Sequence, residues 1–205
     1  MRKQSSKARL SGVRRTLASY LTQPTLGLLV RIHVTPGAIT WIGFLVTAGA
    51  SALIVTGHLF AAGFVVLGAG FFDMLDGALA RYAGRVTLFG GILDSTVDRL
   101  SESVLLLGIL VLYAREQSVV LILLVFVTLV GSLLVSYVRA RAEALGLECQ
   151  RGFFTRPERV IVLALGLLLN QVFESLVIAL AIIAVLSFFT FGQRLIYVWK
   201  QIKTM

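Results

Sequence analysis

Apolar stretches about as long as a bilayer is thick recur along this chain, and they constrain its architecture more than any other feature. A helix crossing the hydrocarbon core needs about 20 mostly apolar residues. Residues 37–56, 119–138 and 176–191 are close to that length. Residues 59–82 and 89–113 are long enough but carry carboxylates in the halves nearest the loop they share, and residues 157–171 form a shorter run that begins at a charged edge. The pattern predicts an all-α integral membrane protein of six transmembrane helices. With 58% hydrophobic and 14% charged residues, the chain lies outside the range of soluble globular domains.

Ahead of the first span, Leu10, Val13, Leu17 and Leu21 recur at helical spacing while Lys7, Arg14 and Arg15 lie off that stripe. This predicts an amphipathic juxtamembrane helix on the membrane surface, with Pro24 breaking the pattern. The chain therefore divides into a basic surface segment, residues 1–36, and a six-helix membrane domain, residues 37–205. No cleaved signal is expected, because the first apolar run is already of spanning length.

The net charge of +9 does not point to nucleic acid, because the distribution of Lys and Arg follows topology. With the N-terminus inside, six spans place 18 of the 19 basic residues on one side, and only Arg115 falls on the other. Both termini and the loop after residue 82 are then cytoplasmic, where anionic lipid headgroups are the partner such charge suits. Cys149 is the only cysteine, which excludes an internal disulfide and a cysteine-based metal site. His33 and His58 sit at predicted span edges and receive no role.

The segment 72–99 reads FDMLDGALARYAGRVTLFGGILDSTVDR and holds Asp73, Asp76, Asp94 and Asp98, four of the ten acids in the chain. A carboxylate near the bilayer centre costs about 2.5–3.5 kcal/mol, so such a cluster needs compensation, and a bound cation supplies it. Asp73 and Asp76 are three apart and Asp94 and Asp98 four apart, so each pair projects from one face of its helix. If the second and third spans are antiparallel neighbours, the two pairs converge. Oxygen-only ligands favour magnesium or manganese over zinc. Such ions bridge carboxylates to phosphate oxygens. Gly77 and Gly90 would let a nucleotide or diphosphate approach the backbone, and Arg81 would supply a phosphate-binding fork. An Asp-lined cation transporter and a non-catalytic lipid-binding scaffold are the readings from other classes.

As a pattern the string is D-x2-D-G-x2-A-R-x8-G-x3-D-x3-D, and through Asp73, Asp76, Gly77, Ala80, Arg81, Gly90, Asp94 and Asp98 it resembles the signature of the CDP-alcohol phosphotransferases. All eight fixed positions agree, for which chance gives odds of roughly one in 10⁸. The resemblance implies a metal site of Asp73, Asp76, Asp94 and Asp98, with two ions, and Asp98 also as base on the acceptor hydroxyl. It implies a CDP-lipid site lined by Gly77, Ala80, Arg81 and Gly90. The implied reaction is direct attack of an alcohol on a CDP-linked lipid, CDP-diacylglycerol or CDP-archaeol, with release of CMP, in a homodimeric protein. Where the family often has Asn after Thr-Pro, this chain has Gly37, and no site is assigned there.

The acceptor is read from residues 136–160, SYVRARAEALGLECQRGFFTRPERV, and from QRLIYVWKQ at 193–201. Arg139, Arg156, Arg159 and Arg194 would all lie on the cytoplasmic face near the aspartates, more positive charge than a neutral alcohol needs. Arg forks select a phosphorylated acceptor. The two stretches resemble those of prokaryotic phosphatidylinositol-phosphate synthases and their archaeal archaetidyl counterparts, which implies inositol 1-phosphate as acceptor and Ser136, Arg139, Arg156 and Arg194 as its ligands. In that family the position of Arg139 is usually Lys. A synthase using glycerol 3-phosphate is the alternative within the family. Arg139 and Arg141, two apart, cannot share one pocket, and Glu143 is placed to pair with Arg139 as scaffold.

Overall fold

The computed structural model describes residues 35–82, 84, 87–147, 149, 152–172 and 174–203. The surface helix expected within residues 1–36 lies outside the described residues, apart from the last two positions of that segment. Six helices follow: α1 (Pro36–Val55), α2 (Leu59–Tyr82), α3 (Leu88–Arg115), α4 (Val119–Ala144), α5 (Arg156–Leu169) and α6 (Ser175–Lys203). Four of them, α1, α2, α4 and α6, are long and apolar enough to cross a membrane. Helix α3 has the length but carries the charges of the aspartate segment, and α5 has only 14 residues.

Local chemistry sets the helix ends. Thr35 caps α1, its hydroxyl accepting from the Ala38 amide at 3.3 Å, and Pro36 follows in the first turn. Thr87 caps α3 in the same way, accepting from the Gly90 amide at 3.0 Å. Gly57, Gly84 and Gly146, with φ of +82°, +61° and +73°, turn the chain after α1, α2 and α4. Helix α4 continues past the expected residue 138 because RARAEA is strongly helix-forming, and Arg139 Nε meets Glu143 Oε1 at 2.8 Å one turn on. Helix α6 likewise outruns the expected residue 191, and Lys203 lies over the Trp199 ring at its end.

Helix α1 packs on α2 and α3, α4 packs on α6, and α5 lies along α2 and α6. The core between them includes Ile54, Val66, Leu106, Ile109, Leu167 and Leu180, while Leu45, Phe64, Val120 and Val185 stand exposed on the outer surface, as a hydrocarbon-facing wall requires. Small residues permit the closest approaches. A Cβ on Gly108 of α3 would sit 2.9 Å from the Ser51 carbonyl oxygen and 3.3 Å from its Cα. Beside it the Ser51 hydroxyl donates to the Val104 carbonyl at 2.7 Å. Gly108→Ala must therefore push α1 off α3. The expected cost is about 1–3 kcal/mol, read as a lowered midpoint in thermal melts of the detergent-purified protein.

Because successive helices run antiparallel, the start of α1, the end of α2, the start of α3, the end of α4, the start of α5 and the end of α6 meet at one end of the bundle. The aspartates are there. At the other end Arg115 donates to the Val55 carbonyl at 2.8 Å and so closes the C-terminus of α1.

Candidate active site

The carboxylate pairs of α2 and α3 face one region, although the two helices are not the close neighbours expected: both pack on α1, and α5 lies along α2. Asp76 is buried, its Oδ2 accepting from the Thr40 hydroxyl of α1 at 2.8 Å and its Oδ1 from the Gly77 amide at 2.5 Å. Asp73 lies beside Gly43 of α1, where a Cβ would come within 3.7 Å of its Oδ1. Arg156, the first residue of α5, enters between the two carboxylate pairs: its Nη1 is 2.6 Å from Asp73 Oδ2 and 2.6 Å from Asp98 Oδ1. Asp94 is within electrostatic reach of Asp73, Asp76 and Arg156. Four carboxylates from two helices thus surround one region, with a cationic nitrogen held between two of them.

Helix α5 can present Arg156 there because its start is well defined. The Thr155 amide donates to Glu158 Oε2 at 2.9 Å, the Thr155 hydroxyl donates to the same carboxylate, and Pro157 occupies the first turn. The positive end of the helix therefore faces the acidic cluster.

The donor set fits a hard divalent ion: every acid in it is a carboxylate, and Asp73 and Asp98 already share a cation. The side chains are not gathered into a finished cage. Among the described residues no three acids stand close enough to ligate a single ion. Asp76 is committed to Thr40 and Gly77, and Asp73 and Asp98 to Arg156, so an ion and the guanidinium compete for the same oxygens.

The residues expected to line a CDP-lipid site lie on the same end of α2 and α3. Gly77 and Ala80 are half-buried and Arg81 is exposed. The Arg81 guanidinium folds back over Gly77, with Nη1 at 3.3 Å from where a Cβ would be. Gly90 has a second reason to lack a side chain, since a Cβ would meet the Thr87 cap hydroxyl at 2.9 Å.

The arginines divide. Arg156 reaches the aspartates. Arg194 is buried and donates to the Val135 carbonyl of α4 at 2.6 Å, with its guanidinium against Gly152, where a Cβ would be 3.0 Å from Nε. It ties α6 to α4 just below the half-buried Ser136. Arg139 is half-exposed and paired with Glu143, as its spacing suggested. Arg159 departs from the expectation that it opens toward the acceptor. It is 2% exposed, and its Nε and Nη2 donate to the two oxygens of Glu102 at 2.6 and 2.8 Å. Its charge is neutralised inside the bundle, so it adds nothing to an open basic pocket. Neither Glu102 nor Thr40 stood out in the sequence. Glu102 follows Asp98 by four and Arg159 follows Arg156 by three, and that matched spacing was the available signal. Cys149 is buried in a small cluster with Ala142 and Leu147, where it packs as an apolar side chain.

Residues 33–191 match the family model of the CDP-alcohol phosphatidyltransferases. The chain is 41% identical over 175 residues to the archaetidylinositol phosphate synthase of Methanothermobacter thermautotrophicus, covering 84% of this chain and 87% of the relative. Two crystal structures of the Mycobacterium tuberculosis phosphatidylinositol phosphate synthase are similar to it. The one with CDP-DAG bound has a TM-score of 0.82 at 36% identity, covering 88% of this chain and 94% of the other. The one in complex with manganese and citrate has a TM-score of 0.79 at 36% identity, covering 87% and 88%. The chain belongs to the CDP-alcohol phosphatidyltransferase family.

Proposed function

We propose that this protein transfers a phosphatidyl or archaetidyl group from a CDP-linked lipid to inositol 1-phosphate, releasing CMP. The observation that carries the reading is the contact between Arg156 and Asp98, which puts a phosphate-binding fork beside a candidate base. An inositol phosphate presents its phosphate and a free hydroxyl on different ring carbons and can engage both at once. The resemblance to inositol-phosphate-using synthases supports the same acceptor.

In the reaction so read, Arg156 holds the acceptor phosphate once Asp73 and Asp98 no longer occupy its fork, with Ser136, Arg139 and Arg194 bordering the acceptor from α4 and α6. Asp98 accepts the proton of the attacking hydroxyl. The hydroxyl oxygen forms a bond to the lipid-bearing phosphorus, and the bond from that phosphorus to CMP breaks. Gly77, Ala80, Arg81 and Gly90 line the CDP moiety. Asp73, Asp76, Asp94 and Asp98 would hold two divalent ions, magnesium or manganese, whose charge offsets that developing on the transferred phosphoryl oxygens.

The membrane reading goes with it: six spans, both termini and the active site in the cytoplasm, in a homodimer. The one-sided distribution of Lys and Arg supports the orientation.

The test is CMP release by the detergent-purified protein given magnesium and either CDP-diacylglycerol or CDP-archaeol. Inositol 1-phosphate, inositol, glycerol 3-phosphate and serine are compared as acceptors. Release dependent on inositol 1-phosphate is expected; release with glycerol 3-phosphate alone would discard the acceptor and keep the chemistry. Arg156→Ala removes charge-assisted hydrogen bonds of about 1.5–3 kcal/mol, so the acceptor KM should rise about ten- to hundredfold. The KM for the CDP-lipid should move far less. Equal weakening of both substrates would defeat the assignment.

A further inference from the structure

Arg156 and Arg159 occupy successive turns of one face of α5, and Asp98 and Glu102 occupy successive turns of one face of α3. The result is two rungs between helices that do not themselves pack closely, since α5 lies along α2 and α6. The outer rung is Arg156 to Asp98, at the site. The inner rung is Arg159 to Glu102, a planar fork meeting both carboxylate oxygens.

The two rungs differ in how firmly they hold. Arg156 uses one nitrogen for both aspartates, while Arg159 uses two nitrogens for one carboxylate, and each leaves one buried nitrogen without a hydrogen-bond partner, Nε of Arg156 and Nη1 of Arg159. The carboxylates that hold Arg156 belong to the chemistry. Arg159 is held at two nitrogens by a carboxylate with no other task, among Leu105, Leu106, Leu163 and Ile183. Further along α5, close packing takes over: a Cβ on Gly166 would meet the Ala179 Cβ at 2.5 Å. That packing joins α5 to α6 and not to α3, so the inner rung is the direct tie that fixes the first turn of α5 relative to α3. An apolar pair of similar volume commonly stabilises as well as a buried ion pair does, so stability alone is a weak reason for the charges.

We propose that Glu102 and Arg159 are positioning residues that set the placement of Arg156 at the acceptor pocket, and so the affinity for a phosphorylated acceptor. The inference rests on the reading of Arg156 as an acceptor-phosphate ligand.

The test variant is the double replacement Glu102→Leu/Arg159→Met, which removes both charges together and keeps the helix packed. With inositol 1-phosphate the acceptor KM should rise about tenfold or more, the scale on which a small misplacement is felt, while the CDP-lipid KM stays within about threefold. In an Arg156→Ala background the same double replacement should change the acceptor KM by less than about twofold, because its effect passes through Arg156. An unchanged acceptor KM in the folded double variant, or full additivity with Arg156→Ala, would overturn the proposal. A second readout needs no acceptor. In Arg156→Cys protein the rate of labelling by a water-soluble thiol reagent should differ several-fold with and without the inner rung, and equal rates would also overturn it. If the wild type releases no CMP with any phosphorylated acceptor while labelling still responds, the acceptor reading falls and the positioning stands.

Discussion

Asp98→Asn is expected to lower CMP release by about 10²–10⁴-fold, the usual loss when a positioned general base is removed. Asparagine has nearly the same shape, and Asp98 is only partly buried, so packing around it should persist. Arg156 would keep Asp73 as a partner. The thermal midpoint should therefore stay near that of the wild type, and the CDP-lipid should still bind, because most of its proposed contacts come from α2 and from Gly90. Single-turnover CMP release together with CDP-lipid binding separates these effects. Activity within tenfold of the wild type would move the base role elsewhere, with Asp94, one turn earlier on α3, the first alternative.

The largest stability effect should come from one turn deeper. Glu102→Leu leaves the Arg159 guanidinium charged, buried and without its carboxylate, a change that costs about 3–5 kcal/mol. For a chain of this length that corresponds to a fall in Tm of about 10 °C, measurable in detergent. Glu102→Leu/Arg159→Met should recover most of the loss, since it removes the second charge as well. A single variant as stable as the wild type would mean that Arg159 finds water or another acceptor on losing Glu102. The contrast with Asp98→Asn separates two carboxylates four residues apart on one helix: the first change costs rate, the second costs stability.

Much of the fold was legible because the bilayer imposes a length rule on apolar segments. The second span was expected at 59–82 and forms Leu59–Tyr82. The ends of α4 and α6 were placed too early because hydropathy stops at the membrane edge while helix propensity does not, and RARAEA and QRLIYVWKQ continue the helix beyond it. The candidate site was legible for a related reason. Carboxylates at helical spacing in apolar spans are too costly to be incidental, and their string of fixed spacings carries the family resemblance.

The arginines could not be sorted in that way. Arg156 and Arg159 are alike in sequence, both cationic and three apart at the start of one short helix. Which one reaches Asp73 and Asp98 and which is neutralised by Glu102 depends on the rotation of α5 against α3, a relation between segments 57 residues apart in the chain for the Arg159 pair. Arg139 could be matched to Glu143 because that pairing is local to one helix. By itself the sequence determined the class of solvent, the number of helices among the described residues, the carboxylate cluster and the family, because each follows from spacing along one chain segment. The tertiary structure alone decided which basic side chain joins the carboxylates, which is locked in the interior and which ties α6 to α4, because those outcomes depend on how helices distant in sequence rotate and approach one another.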